Sequence, residues 1–277
     1  MMRLLALLVA VAVAFAPGAG AADDVSVRYL LSRERPGGGF AEATGTPGVS
    51  LTAWAVLGLR ARGASPSPET REYLLRTEAR DVPELELALM ARAVSGAETS
   101  TQVARLRAAI RPSGLIGSSL NSTIWGVLAL RQVREPVPAA SKRLLLARQS
   151  SSGGWGWGAG VPPDSNDTAA AVQALRALGV RGKPISRALD FLRKHRNPDG
   201  GFELSRGRGS DTQSTAWAVQ AFVAAGVRLP KGALGYLARM RRADGSYRYS
   251  ARYPAATPVW VTSQVLPAVA REPFPLR

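Results

Sequence analysis

Apolar residues recur along this chain at the three- and four-residue spacing of a helix face, and no useful length of it alternates with the two-residue period of a strand. The helical blocks also repeat one another. The run from Asp167 to Leu175 (DTAAAVQAL) is echoed from Ser214 to Phe222 (STAWAVQAF), and each leads to a glycine, Gly179 and Gly226, as a helix C-terminus should. Sliding this template back finds Leu51 to Leu57 (LTAWAVL), ending at Gly63, and Ser122 to Leu128 (STIWGVL). A degenerate copy from Glu84 to Met90 ends at Gly96, and the last copy runs from Pro258 to Gln264 (PVWVTSQ). In this register one column reads Leu57, Met90, Leu128, Gln173, Gln220, Gln264. Five residues earlier another reads Thr52, Leu85, Thr123, Thr168, Thr215, Val259.

Each of these helices is preceded by another, clearest in Ile185, Ala188, Leu189 and Leu192, and then by a glycine turn and an aromatic. Arg196 to Phe202 (RNPDGGF) matches Arg241 to Tyr247, Glu34 to Phe40 and Gln149 to Trp155. Prolines at Pro68, Pro138, Pro184 and Pro230 mark where the next unit begins. The unit is outer helix, glycine turn, inner helix, and it occurs six times. Repeats of this length build solenoids or rings. The prediction is an all-α fold, an α/α toroid of six hairpins with an inner and an outer ring, and the alternative is an open superhelix of helix pairs.

The N-terminus reads differently. Met1-Met2-Arg3, an apolar stretch from Leu4 to Ala16 and the small-residue run Ala19-Gly20-Ala21 form a signal peptide, residues 1–21, with an uncleaved anchor as the alternative. Residues 22–277 are then one exported toroid domain, secreted or periplasmic, with no transmembrane segment after cleavage. No cysteine is present, so burial alone must stabilise it. The net charge of +16 favours an anionic envelope surface, lipid headgroup or anionic ligand. Export and the scatter of basic residues along helices argue against nucleic acid, and a plain solvated basic surface is the simpler account.

Gln149-x-x-x-Gly153-x-Trp155 resembles the Gln-Trp motif of squalene-hopene and oxidosqualene cyclases, in which Gln and Trp tie outer-helix ends to the neighbouring turn. The resemblance spans the domain and implies the terpenoid-cyclase and prenyltransferase toroid superfamily. Asp164-Ser165-Asn166-Asp167-Thr168-Ala169 is similar to the Asp-x-Asp-Asp-Thr-Ala motif from which class II terpene cyclases protonate an alkene, making Asp164 and Asp167 the catalytic candidates. The position matching the proton donor is Asn166, and an amide cannot supply that proton. Those cyclases are also expected to need a second helical domain, for which one toroid is expected to leave too few residues here. Zinc-dependent prenyl transfer would need Asp, Cys and His ligands, and this chain has one histidine, His195, read as a surface residue. No metal and no cofactor are expected.

The same ring forms the larger domain of the animal cobalamin carriers, where polar side chains at inner-helix N-termini contact the ligand. The resemblance carries that role to Asn121, Asp167, Gln213, Ser214 and Thr257, and implies a corrinoid-like or isoprenoid ligand. Helix N-termini gathered at one mouth would supply free N–H groups and positive dipole ends, while the plainer role for Asp167, Ser122 and Ser214 is N-capping. Trp54, Trp125, Trp217 and Trp260, near the same ends, either form a stacking wall for a small hydrophobic or ring-shaped ligand or pack between helices. Gln173, Gln220 and Gln264 either bond to neighbouring helices or line the cavity. The reading is a non-catalytic binding ring. A terpenoid-processing enzyme and a protein-interaction ring are the alternatives, and a tube packed shut by Trp and Leu would leave no room for a small molecule.

Overall fold

The computed structural model describes residues 24–276, and the signal peptide assigned to residues 1–21 lies outside them. Twelve helices make up this part of the chain. The outer ones are α1 (Val25–Leu31), α3 (Pro68–Arg76), α5 (Ser100–Ala108), α7 (Ala139–Ala147), α9 (Lys183–Arg193) and α11 (Ala233–Met240). Alternating with them are the inner helices α2 (Val49–Ala61), α4 (Val82–Val94), α6 (Leu120–Gln132), α8 (Ser165–Ala177), α10 (Thr212–Ala225) and α12 (Pro258–Ala270). Each inner helix packs on the next, and α12 packs on α2, so the ring is closed and the open superhelix is excluded. Among the described residues no helix is long and apolar enough to cross a membrane.

One hydrogen bond explains the threonine column. In five repeats the threonine in the first turn of the inner helix accepts the backbone N–H of the residue closing the glycine turn: Phe40 to Thr52 (2.9 Å), Ile116 to Thr123 (3.0 Å), Trp155 to Thr168 (3.0 Å), Phe202 to Thr215 (2.8 Å) and Tyr247 to Thr262 (2.9 Å). Each bond satisfies a buried donor that the turn would otherwise leave orphaned. The fifth bond also corrects the register of the last repeat. Thr262, not Val259, stands in the threonine column, and Gln264 therefore falls in the column of Trp54, Trp125 and Trp217, three residues away from that of Gln173 and Gln220.

The turns are glycine because the next outer helix presses on them. A Cβ on Gly153, whose φ is +99°, would lie 2.5 Å from the Arg187 carbonyl oxygen of α9. Gly245 in the last repeat meets the Val25 carbonyl of α1 in the same way, so the outer ring closes too. Gln149 and Trp155 act as their motif implies: Gln149 Nε2 donates to the carbonyls of Gly153 and Pro184 (both 2.8 Å), and Trp155 Nε1 to that of Leu145 (2.8 Å). At the seam between first and last inner helices, Gly58 lets α2 approach so closely that a Cβ there would stand 2.6 Å from the Ser263 carbonyl.

His195 is not a surface residue. It is buried, its Nδ1 lies 2.9 Å from the Phe191 carbonyl, and its ring stacks on Phe191 at 4.3 Å. The neighbouring Lys194 is exposed, so the chain alternates between solvent and core at the end of α9.

Candidate functional site

At the mouth where the inner helices begin, the N-caps stand three residues earlier than expected. Asp164, Ser119 and Asp211 accept the N–H groups of Asp167 (2.8 Å), Ser122 (3.0 Å) and Ser214 (2.7 Å), so the residues read as caps are the capped ones. Nor are the first N–H groups free. For α6, α8 and α10 the loop of the following repeat covers the helix before it: Asn121 N–H donates to Trp157 O (3.0 Å), Ser165 N–H to Leu204 O (3.0 Å) and Thr212 N–H to Tyr249 O (2.8 Å). Glu42, in the first repeat, takes the N–H groups of Val259 (3.1 Å) and Trp260 (3.0 Å). These backbone donors are committed to the fold.

The side chains at the mouth fall into two groups. Asn121 Nδ2 donates to Asp167 Oδ1 at 2.6 Å, joining α6 to α8. Asp167 is buried, and desolvation together with the nearby Asp164 carboxylate pushes it up to about 7; burial raises Asp164 as well. Neighbouring carboxyls disfavour double ionisation, and the Asp164 carboxylate therefore works in the same direction as burial on Asp167. Gln264 Oε1 accepts from Gln213 Nε2 (2.8 Å) and Trp217 Nε1 (3.0 Å), joining α10 to α12. Asn166 is half-buried, Thr257 is exposed with φ +39° and no side-chain capping bond, and Ser214 is buried with its hydroxyl on Asp211 (2.7 Å). Ser214 is thus engaged with the N-cap of its own helix.

Beneath the mouth the ring is filled. Trp54 lies edge-on to Trp125 (5.3 Å between ring centroids), Trp217 (5.6 Å) and Trp260 (6.2 Å), and Trp125 lies edge-on to Trp217 (5.3 Å). Phe274, from the segment after α12, packs from the opposite end against Trp54, Trp125 and Trp217 at 5.9, 6.1 and 6.1 Å. Such edge-to-face geometry is what aromatic rings adopt when they pack on each other. The amides serve this filling. Gln173 Oε1 accepts the Phe274 N–H (2.8 Å), and Gln132 exchanges two bonds with the Leu276 backbone (2.8 and 2.9 Å). Gln220 Nε2 reaches the Gln264 carbonyl at 3.4 Å, leaving its own side-chain oxygen without a partner.

Sequence reasoning missed Phe274, Gln132 and Glu86. Glu86 is fully buried, accepts a bond from Ser122 Oγ (2.6 Å) with one oxygen only, and is held well above the usual carboxylate range by desolvation.

No protein-family model matches this chain, and no curated protein is similar to it in sequence. Solved structures resemble its fold. The type II terpene cyclase MstE from Scytonema superposes with a TM-score of 0.69 at 17% identity, over 90% of this chain and 97% of that one. The chain has the toroid fold of the terpenoid cyclases and prenyltransferases. Candida albicans protein geranylgeranyltransferase-I complexed with GGPP superposes at 0.61 and 13% identity, over 80% and 83% of the two chains. A glycosidase in complex with glucose does so at 0.64 and 13%, over 91% and 97%. The cyclase corrects the expectation that such an enzyme needs a second helical domain, since one ring accounts for nearly all of that solved chain. The spread of chemistries on one architecture means that fold does not select the activity here.

Proposed function

We propose that this chain is an exported, non-catalytic binding ring whose ligand or envelope partner seats on the mouth where the inner helices begin. The filled centre carries this reading: Trp54, Trp125, Trp217 and Phe274 pack together in the middle of the ring and leave no chamber beneath the mouth. Recognition is left to the surface. There the half-buried Asn121, Asn166 and Gln213 stand beside the half-buried Trp125 and Trp260, and Trp157 and Tyr253, 58% and 53% exposed, lie on flanking loops. Amides next to large rings suit a small hydrophobic or ring-shaped ligand, and the net charge of +16 suits an anionic envelope surface.

The competing reading is isoprenoid cyclisation, favoured by the likeness to a single-ring cyclase that has also been solved with geranylgeranyl dihydroxybenzoate. Against it stands Asn166 in the acid's position, since an amide cannot supply the proton.

Thermal denaturation of the exported protein with a corrinoid, isoprenoid alcohols and anionic vesicles tests the proposal. A rise in Tm with one of them, lost in a Asn121→Ala/Trp157→Ala variant, is the expected outcome. Conversion of a geranylgeranyl-bearing substrate by the wild type, read by mass spectrometry of products, would overturn it, as would a silent panel.

A further inference from the structure

We propose that the face opposite the mouth is a second, independent site, an anion-binding bowl for a ligand presenting two or more phosphate groups. It does not rest on the reading of the mouth. A cavity of about 1200 Å³ opens where the six inner helices end, floored by the segment after α12. Its lining includes Arg60, Arg131, Arg134, Arg176, Arg181 and Arg271, against a single carboxylate, Glu272.

Part of this charge has an ordinary explanation. Arg60, Arg131 and Arg176 lie in last turns, where a cation answers the partial negative charge of a helix C-terminus. Half an elementary charge at each helix end offsets some of the guanidinium charge and not all of it. Arg134, Arg181 and Arg271 stand beyond the helices and need another account. Moreover, two of them are held in a backbone conformation that opposes their presence. Four repeats place glycine in the left-handed region after the inner helix, at Gly63, Gly96, Gly179 and Gly226. The third and sixth use Arg134 (φ +61°) and Arg271 (φ +58°) instead. A Cβ in that region crowds the following carbonyl oxygen, which glycine avoids. Both of these strained positions line the bowl, and strain kept in a cavity wall is a sign of function.

The arginines are also available. None of the four ion pairs among the described residues involves Arg131, Arg134, Arg176, Arg181 or Arg271. Arg176 is braced, with Nε on the Ala224 carbonyl (3.0 Å) and Nη1 on the Val180 carbonyl (2.9 Å), and the rest of its fork is unused by these bonds. Guanidinium forks match phosphate oxygens in pairs, and several converging on one concavity suit a multiply charged phosphate better than a single ion.

Isothermal titration of the full chain with sodium tripolyphosphate, with monophosphate as the comparison, tests the site. Phosphatidylglycerol vesicles form a parallel arm, so that the responding arm distinguishes a free phosphate ligand from a lipid headgroup. The variant Arg134→Gly/Arg271→Gly relieves the backbone and should melt at or above the wild type while binding tripolyphosphate or vesicles at least roughly tenfold more weakly. A variant with the same loss of charge at the exposed mouth-side loop, Arg206→Ala/Arg208→Ala, should bind tripolyphosphate within about threefold of the wild type. Wild-type protein that prefers tripolyphosphate no more than monophosphate and ignores vesicles would overturn the proposal, and so would equal losses in the two variants.

Discussion

Asp167 shows how a single position can be conspicuous in the sequence while its cap reading belongs to a neighbour, Asp164. The motif around it suggested catalysis and its place suggested a cap, yet it is a buried carboxyl shared between Asn121 and a neighbouring acid. Its folded-state pKa, about 7, lies above the ordinary 3.8, so the unfolded chain ionises first as pH rises. Its contribution to stability is full below about pH 4 and is lost as pH climbs through about 7. Asp167→Asn should therefore flatten the decline of Tm across that window and exceed the wild type above it. Asp164 and Asp211, also raised by burial, leave a residual slope of the same sign. A wild-type Tm that is flat from pH 4 to 8 would contradict this account. The threonines were legible as a column, since four identical residues stand out by eye, but their role was not, because the N–H they accept comes from a turn that lies seven to fifteen residues away. Glu86 was hidden for the opposite reason. It sits in the most degenerate copy, where an acid on an apolar helix has nothing to be compared with.

At the level of helices, periodicity and glycine punctuation were enough to place every inner helix, and the glycines expected at their ends are left-handed as required. The last helix slipped by three residues because the loop before it, from Tyr249 to Thr257, carries no turn signature to fix the count. Proximity between helices is not encoded in periodicity either. Gly58 is the example: in a helix interior, glycine to alanine ordinarily gains about 1 kcal/mol. Here the added methyl would meet the Ser263 carbonyl, and overpacking of this kind costs about 1–3 kcal/mol. Gly58→Ala should thus lower the urea-unfolding free energy, a sign opposite to that of helix propensity, whereas a stabilised variant would mean that the α2–α12 seam is looser than described.

For the molecule as a whole, the number of repeats was the legible quantity, and six hairpins do close. The filled interior was not legible. The segment from Glu272 to Leu276 is too short for any period, so Phe274 gave no sign that it would pack against three tryptophans from the opposite end of the ring. Phe274→Ala should cost about 3 kcal/mol by leaving a void among those rings. Water entering the void should shift tryptophan emission to the red, and an unchanged spectrum with full stability would show that the rings support one another without it.

Closure has a further consequence. A linear array of units can loosen from either extremity, because its outermost members have one neighbour each. In this protein Gly245 against Val25, Gly58 against Ser263, and Glu42 on the amides of Val259 and Trp260 give the first and final units as many neighbours as any other. Fraying has nowhere to start, and opening the circle means severing two junctions at once.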